Sequence, residues 1–356
     1  MRSSRFLVSG IMALAIAVSA HAGLIIDPTF DSTIKNDPNA GVIETTIQSA
    51  IAAFETRFSN PITVQIYFQE GGGLGESNYF VYEQPYTAFY AGLVANNANP
   101  TAIADLTTNG GAGVNNPVTG NPVIELKSAD ARAVGIDIGP GCQLTGSAGS
   151  FSCGGSSGPA YDGIISLNTA ITYPPQPNNG SNYELFATAE HEIDEVLGLG
   201  SALINCGPNG QGTKACQAGG VLNAANDTSF DAPAPEDLWR FATNGTTRAL
   251  STNCGSPTNA FLFLNAMTEV AQFNNACNGA DFGDWQSNPL PNGVSPQVQD
   301  AFGDPGVNTT LGPSEIAALT AIGYDLAATP EPSTWLLLAS SLGILALAKR
   351  RRAPNA

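Results

Sequence analysis

Histidine is nearly missing from this chain: only two of its 356 residues are histidine, His21 and His191. Imidazole-based proton transfer or metal binding is therefore confined to two places. Basic residues are also scarce, with 13 Lys and Arg against 30 Asp and Glu and a formal net charge of -17. Such a chain repels a polyanion at neutral pH, which excludes nucleic acid as a partner. No cysteine pair has CxxC spacing, so a structural zinc cluster is disfavoured. No glycine loop runs into Lys-Ser or Lys-Thr as a phosphate cradle requires, and no internal repeat is present. No apolar run reaches the ~20 residues of a full membrane span. What is present is 43% apolar residues with 39 Gly and 24 Pro, enough for a sizeable core and unlike a disordered or fibrous chain.

The two ends carry signals. Arg2 and Arg5 precede an apolar run from Phe6 to Val18 and the small-residue segment Ala20-His21-Ala22, the pattern of a secretion signal over residues 1–22 that signal peptidase removes. Cleavage also discards His21. At the other end, residues 327–356 hold Pro330-Glu331-Pro332-Ser333-Thr334, an apolar stretch from Trp335 to Ala348, and Lys349-Arg350-Arg351-Arg352. A short hydrophobic segment closed by basic residues keeps its basic end in the cytoplasm and the preceding chain outside. This ending resembles the PEP-CTERM sorting signal of Gram-negative bacteria. The resemblance implies transient anchoring in the inner membrane, recognition by an exosortase, removal of the tail, and release to the cell surface or an extracellular matrix.

Without these ends, residues 23–329 hold 7 basic and 29 acidic side chains, a net of -22. The six cysteines form an even set in an oxidising compartment, where disulfides persist. Neighbours in sequence suggest Cys142 with Cys153, Cys206 with Cys216 and Cys254 with Cys277, although sequence does not choose among the connectivities.

Within this body, Ile43, Ile47, Ile51, Phe54 and Phe58 fall on one helical stripe over residues 42–58. Ile62, Val64, Ile66 and Phe68 alternate with Thr63, Gln65 and Tyr67, the period of a half-buried strand that Gly71-Gly72-Gly73 ends. A second helix is expected over Pro85 to Asn96, and strands over Ala131 to Ile138 and Asp162 to Asn168. The stretch from Asn182 to Leu197 lacks Pro and Gly and stops at Gly198, as a helix with a glycine end does. Long Gly- and Asn-rich loops follow, then weakly patterned segments at Asp237–Phe241 and Ala260–Phe273, and a short helix from Ser314 to Ile322. This order predicts an α+β fold in one domain over residues 23–326.

The remaining histidine opens His191-Glu192-Ile193-Asp194-Glu195-Val196-Leu197-Gly198. Positions i and i+4 of a helix share a face, so His191 and Glu195 can aim a ring nitrogen and a carboxylate at one point. In H-E-x-x-H two such ligands hold zinc while the intervening Glu acts as general base, and the frame here is H-E-x-x-E. His191-Glu192 with Gly198 resembles the zincin metallopeptidases, in particular the metzincin pattern H-E-x-x-H-x-x-G-x-x-H. Glu195 stands at the second His of that pattern and Ser201 at the third. The resemblance implies a zincin-like fold with a mixed sheet and an active-site helix, and a substrate-aligning strand at Asp162–Asn168. It assigns Gly198 to the turn towards a third ligand, His191 and Glu195 to a zinc ion, and Glu192 to catalysis. Asp231, Asp237, Tyr324 and Ser201 are the candidates for the third ligand.

Other patterns carry less. Met267 reads as a core residue, although metzincins place a Met turn beneath the metal. Gly154-Gly155-Ser156-Ser157-Gly158 fits G-x-S-x-G but lies in a Gly/Ser stretch, without the strand-to-helix elbow of a serine hydrolase. The acidic run from Asp281 to Asp284 offers oxygens to calcium, without EF-hand spacing. The sequence thus predicts an exported zinc-dependent metallopeptidase that hydrolyses protein or peptide substrates. The competing expectation is a catalytically inactive surface or matrix protein of the same fold, suggested by the two absent imidazoles.

Overall fold

A computed structural model describes residues 23–145, 150–154, 160–203, 216–217, 221–223, 232–243, 245–253, 259–265, 268–276 and 278–328. The expected signal peptide, the sorting segment from residue 329 on, Cys206, Cys254 and Cys277, Met267, Asp231 and most of the Gly154–Gly158 stretch lie outside these residues.

The organising element is a four-stranded sheet. Strand β1 (Ile25–Phe30) is followed by helix α1 (Ala40–Glu55), strand β2 (Thr63–Glu70) and strand β3 (Gly75–Tyr79). Helix α2 (Tyr86–Asn96) and the short helix α3 (Ser128–Ala133) precede strand β4 (Gly163–Leu167). The order across the sheet is β1-β2-β4-β3. The first three strands run parallel, and β3 is antiparallel on the outer edge, with Gly75 opposite Leu167 and Tyr79 opposite Gly163.

The expected stripe of α1 is the buried one: Ile43, Ile47, Ala50, Ile51 and Phe54 face the core. Each of the larger side chains contributes roughly 1.5–3 kcal/mol by leaving water. Strand β2 is more buried than its alternation suggests, because both of its faces are covered. The face carrying Tyr67 is packed by Phe151, Cys153 and Tyr161 of a small three-stranded sheet. That small sheet is closed by the Cys142–Cys153 disulfide, as sequence proximity suggested.

The strand expected over Ala131 to Ile138 is not formed. Its first residues belong to α3, and Gly135 at φ 79 turns the chain, with Ile136 N–H bonded to Ala131 O at 2.8 Å. Alanine-rich Ala129–Ala133 favours a helix, while the neighbouring strand Val123–Lys127 pairs with Val81–Pro85. Pro85 accordingly ends a strand, and α2 begins one residue later.

Helix α4 (Leu185–Leu197) starts after Tyr183–Glu184, which pairs with Thr172–Tyr173, and ends at Gly198 with φ 143. Farther on, strands β5 (Ala260–Asn265) and β6 (Thr268–Phe273) form a hairpin, and Arg240–Phe241 pairs with β5. Helix α5 (Pro313–Ile322) closes the fold. One core joins these parts, from Leu24 and Ile26 through Ile193 and Val196 to Leu262, Leu319 and Tyr324. Among the described residues, no helix is long and apolar enough to cross a membrane.

Candidate metal centre

Helix α4 packs Leu185, Ala189, Ile193, Val196 and Leu197 into the core, yet Glu190, Glu192, Asp194 and Glu195 are buried with them. Four buried carboxylates on one helix are costly unless each has a compensating partner. One turn apart on its cleft-facing side, His191 Nε2 lies 3.9 Å from Glu195 Oε1. From outside the helix, Asp284 brings Oδ1 to 4.0 Å from the same nitrogen. The three ligand atoms lie within 4.8 Å of one another. They line a cleft of about 270 Å³ together with Glu192, Gly75 and Ser77. The separations are slightly wider than the about 3.4 Å between two ligands of a tetrahedral ion bound at ~2.1 Å, so a small contraction closes the set.

Each of the three side chains is held by a hydrogen bond. His191 Nδ1 lies 2.9 Å from the Val298 carbonyl, which can only accept, so Nδ1 carries a proton and Nε2 is the nitrogen that faces the carboxylates. Ser77 donates to Glu195 Oε2 at 2.5 Å. Gln299 Nε2 donates to Asp284 Oδ1 at 3.1 Å. Outer hydrogen bonds of this kind orient metal ligands and fix the imidazole tautomer.

Glycines set the approach. After Gly198 the chain turns through Gly200, whose N–H is held by Glu236 Oε2 at 2.7 Å. Gly283 packs on that turn so closely that a Cβ there would lie 2.4 Å from Gly200 Cα. Its predecessor Phe282 gives its carbonyl to Arg240 Nη1 at 2.5 Å. The buried Arg240 and the backbone of Gly200 therefore position Asp284 from two sides. On the cleft wall, a Cβ on Gly75 would fall 2.3 Å from Glu192 Oε1, so a side chain there would displace that carboxylate.

The electrostatics show a surplus of negative charge. Burial pushes the Glu192 carboxyl well above its usual range and Glu195 adds to this, while His191 opposes it. Asp284 is raised in the same way, by burial against the opposing charge of His191. Burial would lower the imidazole pKa, but the charges of Asp284, Glu192 and Glu195 outweigh it and bring His191 to about 10. Carboxylates that take up protons to remain buried, converging on one neutralisable point, form a donor set suited to a divalent cation.

Lys127 supplies fixed positive charge beneath the helix end. Its Nζ donates to Glu195 O and Leu199 O, each at 2.6 Å, and lies 3.5 Å from the Tyr79 ring centroid. Burial lowers its pKa to about 8, against the pull of Glu195 and Glu236.

The residues singled out from sequence separate clearly. His191, Glu192 and Glu195 meet in the cleft. Ser201 donates to Asp237 Oδ1 at 2.6 Å, and Asp237 also accepts from Ala202 and Ala234 N–H, so both are engaged away from the ligand point. Tyr324 donates to Leu197 O at 2.7 Å and is fully buried. None of these three joins His191 and Glu195; the residue that does is Asp284, of the run read for calcium. The strand expected to align substrate, β4, is bonded on both sides and has no free edge. The edge beside α4 is β3, whose sequence Gly-Glu-Ser-Asn-Tyr has none of the apolar alternation that marks a strand.

Residues 328–352 match the family described as the PEP-CTERM protein-sorting motif. That motif implies recognition by an exosortase and export in a Gram-negative bacterium. No curated protein and no solved structure matches the chain.

Proposed function

We propose that the exported body is a metal-dependent peptidase in which His191, Glu195 and Asp284 hold a divalent ion and Glu192 is the general base. The observation that carries this reading is the convergence of one imidazole nitrogen and two carboxylate oxygens within 4.8 Å on the wall of an open cleft. The H-E-x-x-E helix and its resemblance to zincins support it further. Nitrogen and carboxylate oxygen are both accepted zinc ligands, and two oxygens in three extend the choice towards manganese or cobalt.

An ion in this position supplies Lewis acidity that polarises a peptide carbonyl. The chain's own residues do the remainder. Glu192, buried at the cleft wall, takes a proton from water and returns it to the leaving amine. His191 keeps its Nδ1 proton on Val298 O and turns Nε2 inward, and Ser77 holds the outer oxygen of Glu195. Among the described residues strand β3 pairs only with β4, and its outer edge offers an extended peptide main-chain hydrogen bonds.

The competing reading, a fold kept only for binding, rests on the missing imidazoles and leaves the convergence of buried carboxylates unexplained. The two are separated by incubating the purified full-length chain, with zinc or manganese added, with an unstructured protein. Cleavage by the natural chain is expected, with losses on the order of 100-fold or more in Glu192→Gln and His191→Ala. Glu192→Gln should still bind metal. No cleavage under any metal would overturn the peptidase reading.

A further inference from the structure

Beyond the ligands and the base, the cleft carries five more carboxylates: Glu76, Glu184, Asp281, Asp300 and Asp304. No lysine or arginine lines it among the described residues. Three of the body's basic side chains are engaged elsewhere. Lys127 and Arg240 are buried against carbonyls, and Arg132 pairs with Asp162 at 2.8 Å.

Asp300 stands out within this set. It is only 7% exposed, and its Oδ2 accepts from Gln297 N–H at 2.8 Å. Its Oδ1 is buried without a hydrogen-bond partner. An orphaned buried acceptor at a cleft wall is unfavourable in the empty protein and calls for a donor from outside. The carboxylate is also rigidly placed. Trp285, next to Asp284, bonds main chain to main chain with Gln299 and Ala301 on either side of Asp300, at 2.8 and 2.9 Å. The candidate ligand and Asp300 thus sit on adjacent bridged segments.

From this placement we infer that the cleft selects peptides with a lysine or arginine side chain close to the bond that is cut, and that Asp300 receives that cation, with Asp304 nearer solvent reinforcing the field. An acidic side chain is repelled by the same five carboxylates, and an apolar one leaves Asp300 Oδ1 unsatisfied, so discrimination runs against both.

The inference rests on the peptidase reading for the bond cleavage, but its recognition part is measured separately by binding. Extended fluorescent peptides identical except for Lys, norleucine or Glu at one position are titrated into the full-length Glu192→Gln protein with zinc added. The same peptides are then given to the natural protein as substrates. Lys is expected to bind about tenfold more tightly than norleucine, with Glu weakest. Asp300→Asn should shrink the Lys-to-norleucine ratio about fivefold or more. Asp304→Asn, at an exposed position that does not threaten folding, should shrink it about twofold and weaken its salt dependence. Equal binding of the three peptides, no binding at all, or a ratio untouched by both substitutions overturns the inference. If the natural protein discriminates in binding yet cuts none of them, the cleft assignment stands and the peptidase reading falls.

Discussion

A single imidazole has one nitrogen to give, and at His191 the Val298 carbonyl decides which one. The hydrogen bond from Ser77 to Oε2 leaves Glu195 Oε1 facing the imidazole, and that from Gln299 steadies Asp284 at Oδ1 itself. Because these partners act through the ligands, Ser77→Ala should weaken metal affinity about 10- to 100-fold, measured by competition with a chelating dye, while the far-ultraviolet circular dichroism stays unchanged. Gly75→Ala tests Glu192 in a different way. The new methyl meets Glu192 Oε1, so cleavage should fall on the order of 100-fold while metal content remains near that of the natural chain. Loss of metal in Gly75→Ala would mean that Glu192 is not separable from the ligand set.

At the scale of elements, α4 carries two of the proposed ligands and the turn after it packs against the loop that carries the third. Gly283 touches Gly200 backbone to backbone, a contact that cannot move aside as a flexible side chain would. Gly283→Ala should therefore push Asp284 away from His191 and abolish tight metal binding, whereas Gly279→Ala in the same loop should bind metal less severely impaired. Equilibrium dialysis of both variants checks this. Helix α4 and its glycine end were legible in the sequence because thirteen residues without Pro or Gly carry helical spacing, and i,i+4 geometry follows from the helix alone. Strand β3 was not, since its character comes from the neighbour it pairs with and not from its own polar sequence. Asp284 was hidden for a related reason. It lies 93 to 89 positions downstream of His191 and Glu195, and only the Gly283–Gly200 approach and the Arg240–Phe282 bond bring it back. Such long-range placement leaves no periodic mark in the chain.

The whole molecule carries its acidity inward as well as on its surface. Asp130 and Glu236 are raised well above the usual carboxylate range by burial, the latter offset by the Gly200 N–H. Asp300 is brought to about 7 by burial, against the Gln297 N–H. A carboxyl whose folded pKa exceeds its unfolded value binds its proton more tightly in the native state. Its contribution to stability is fully present below the unfolded pKa, near 4, and is lost as pH rises through about 7. Metal-free protein should therefore lose stability between pH ~4 and ~7, seen as a falling urea midpoint, and Asp300→Asn should flatten part of that slope. A divalent ion that binds only the folded chain should restore the midpoint at neutral pH in proportion to the logarithm of its concentration. The central claim is tested most directly by counting metal. The full-length chain, purified without chelator and dialysed against zinc, should hold one ion per molecule by plasma mass spectrometry, and His191→Ala and Asp284→Asn should each hold none. A natural chain without stoichiometric metal, or an Asp284→Asn variant that keeps its ion, would contradict the account.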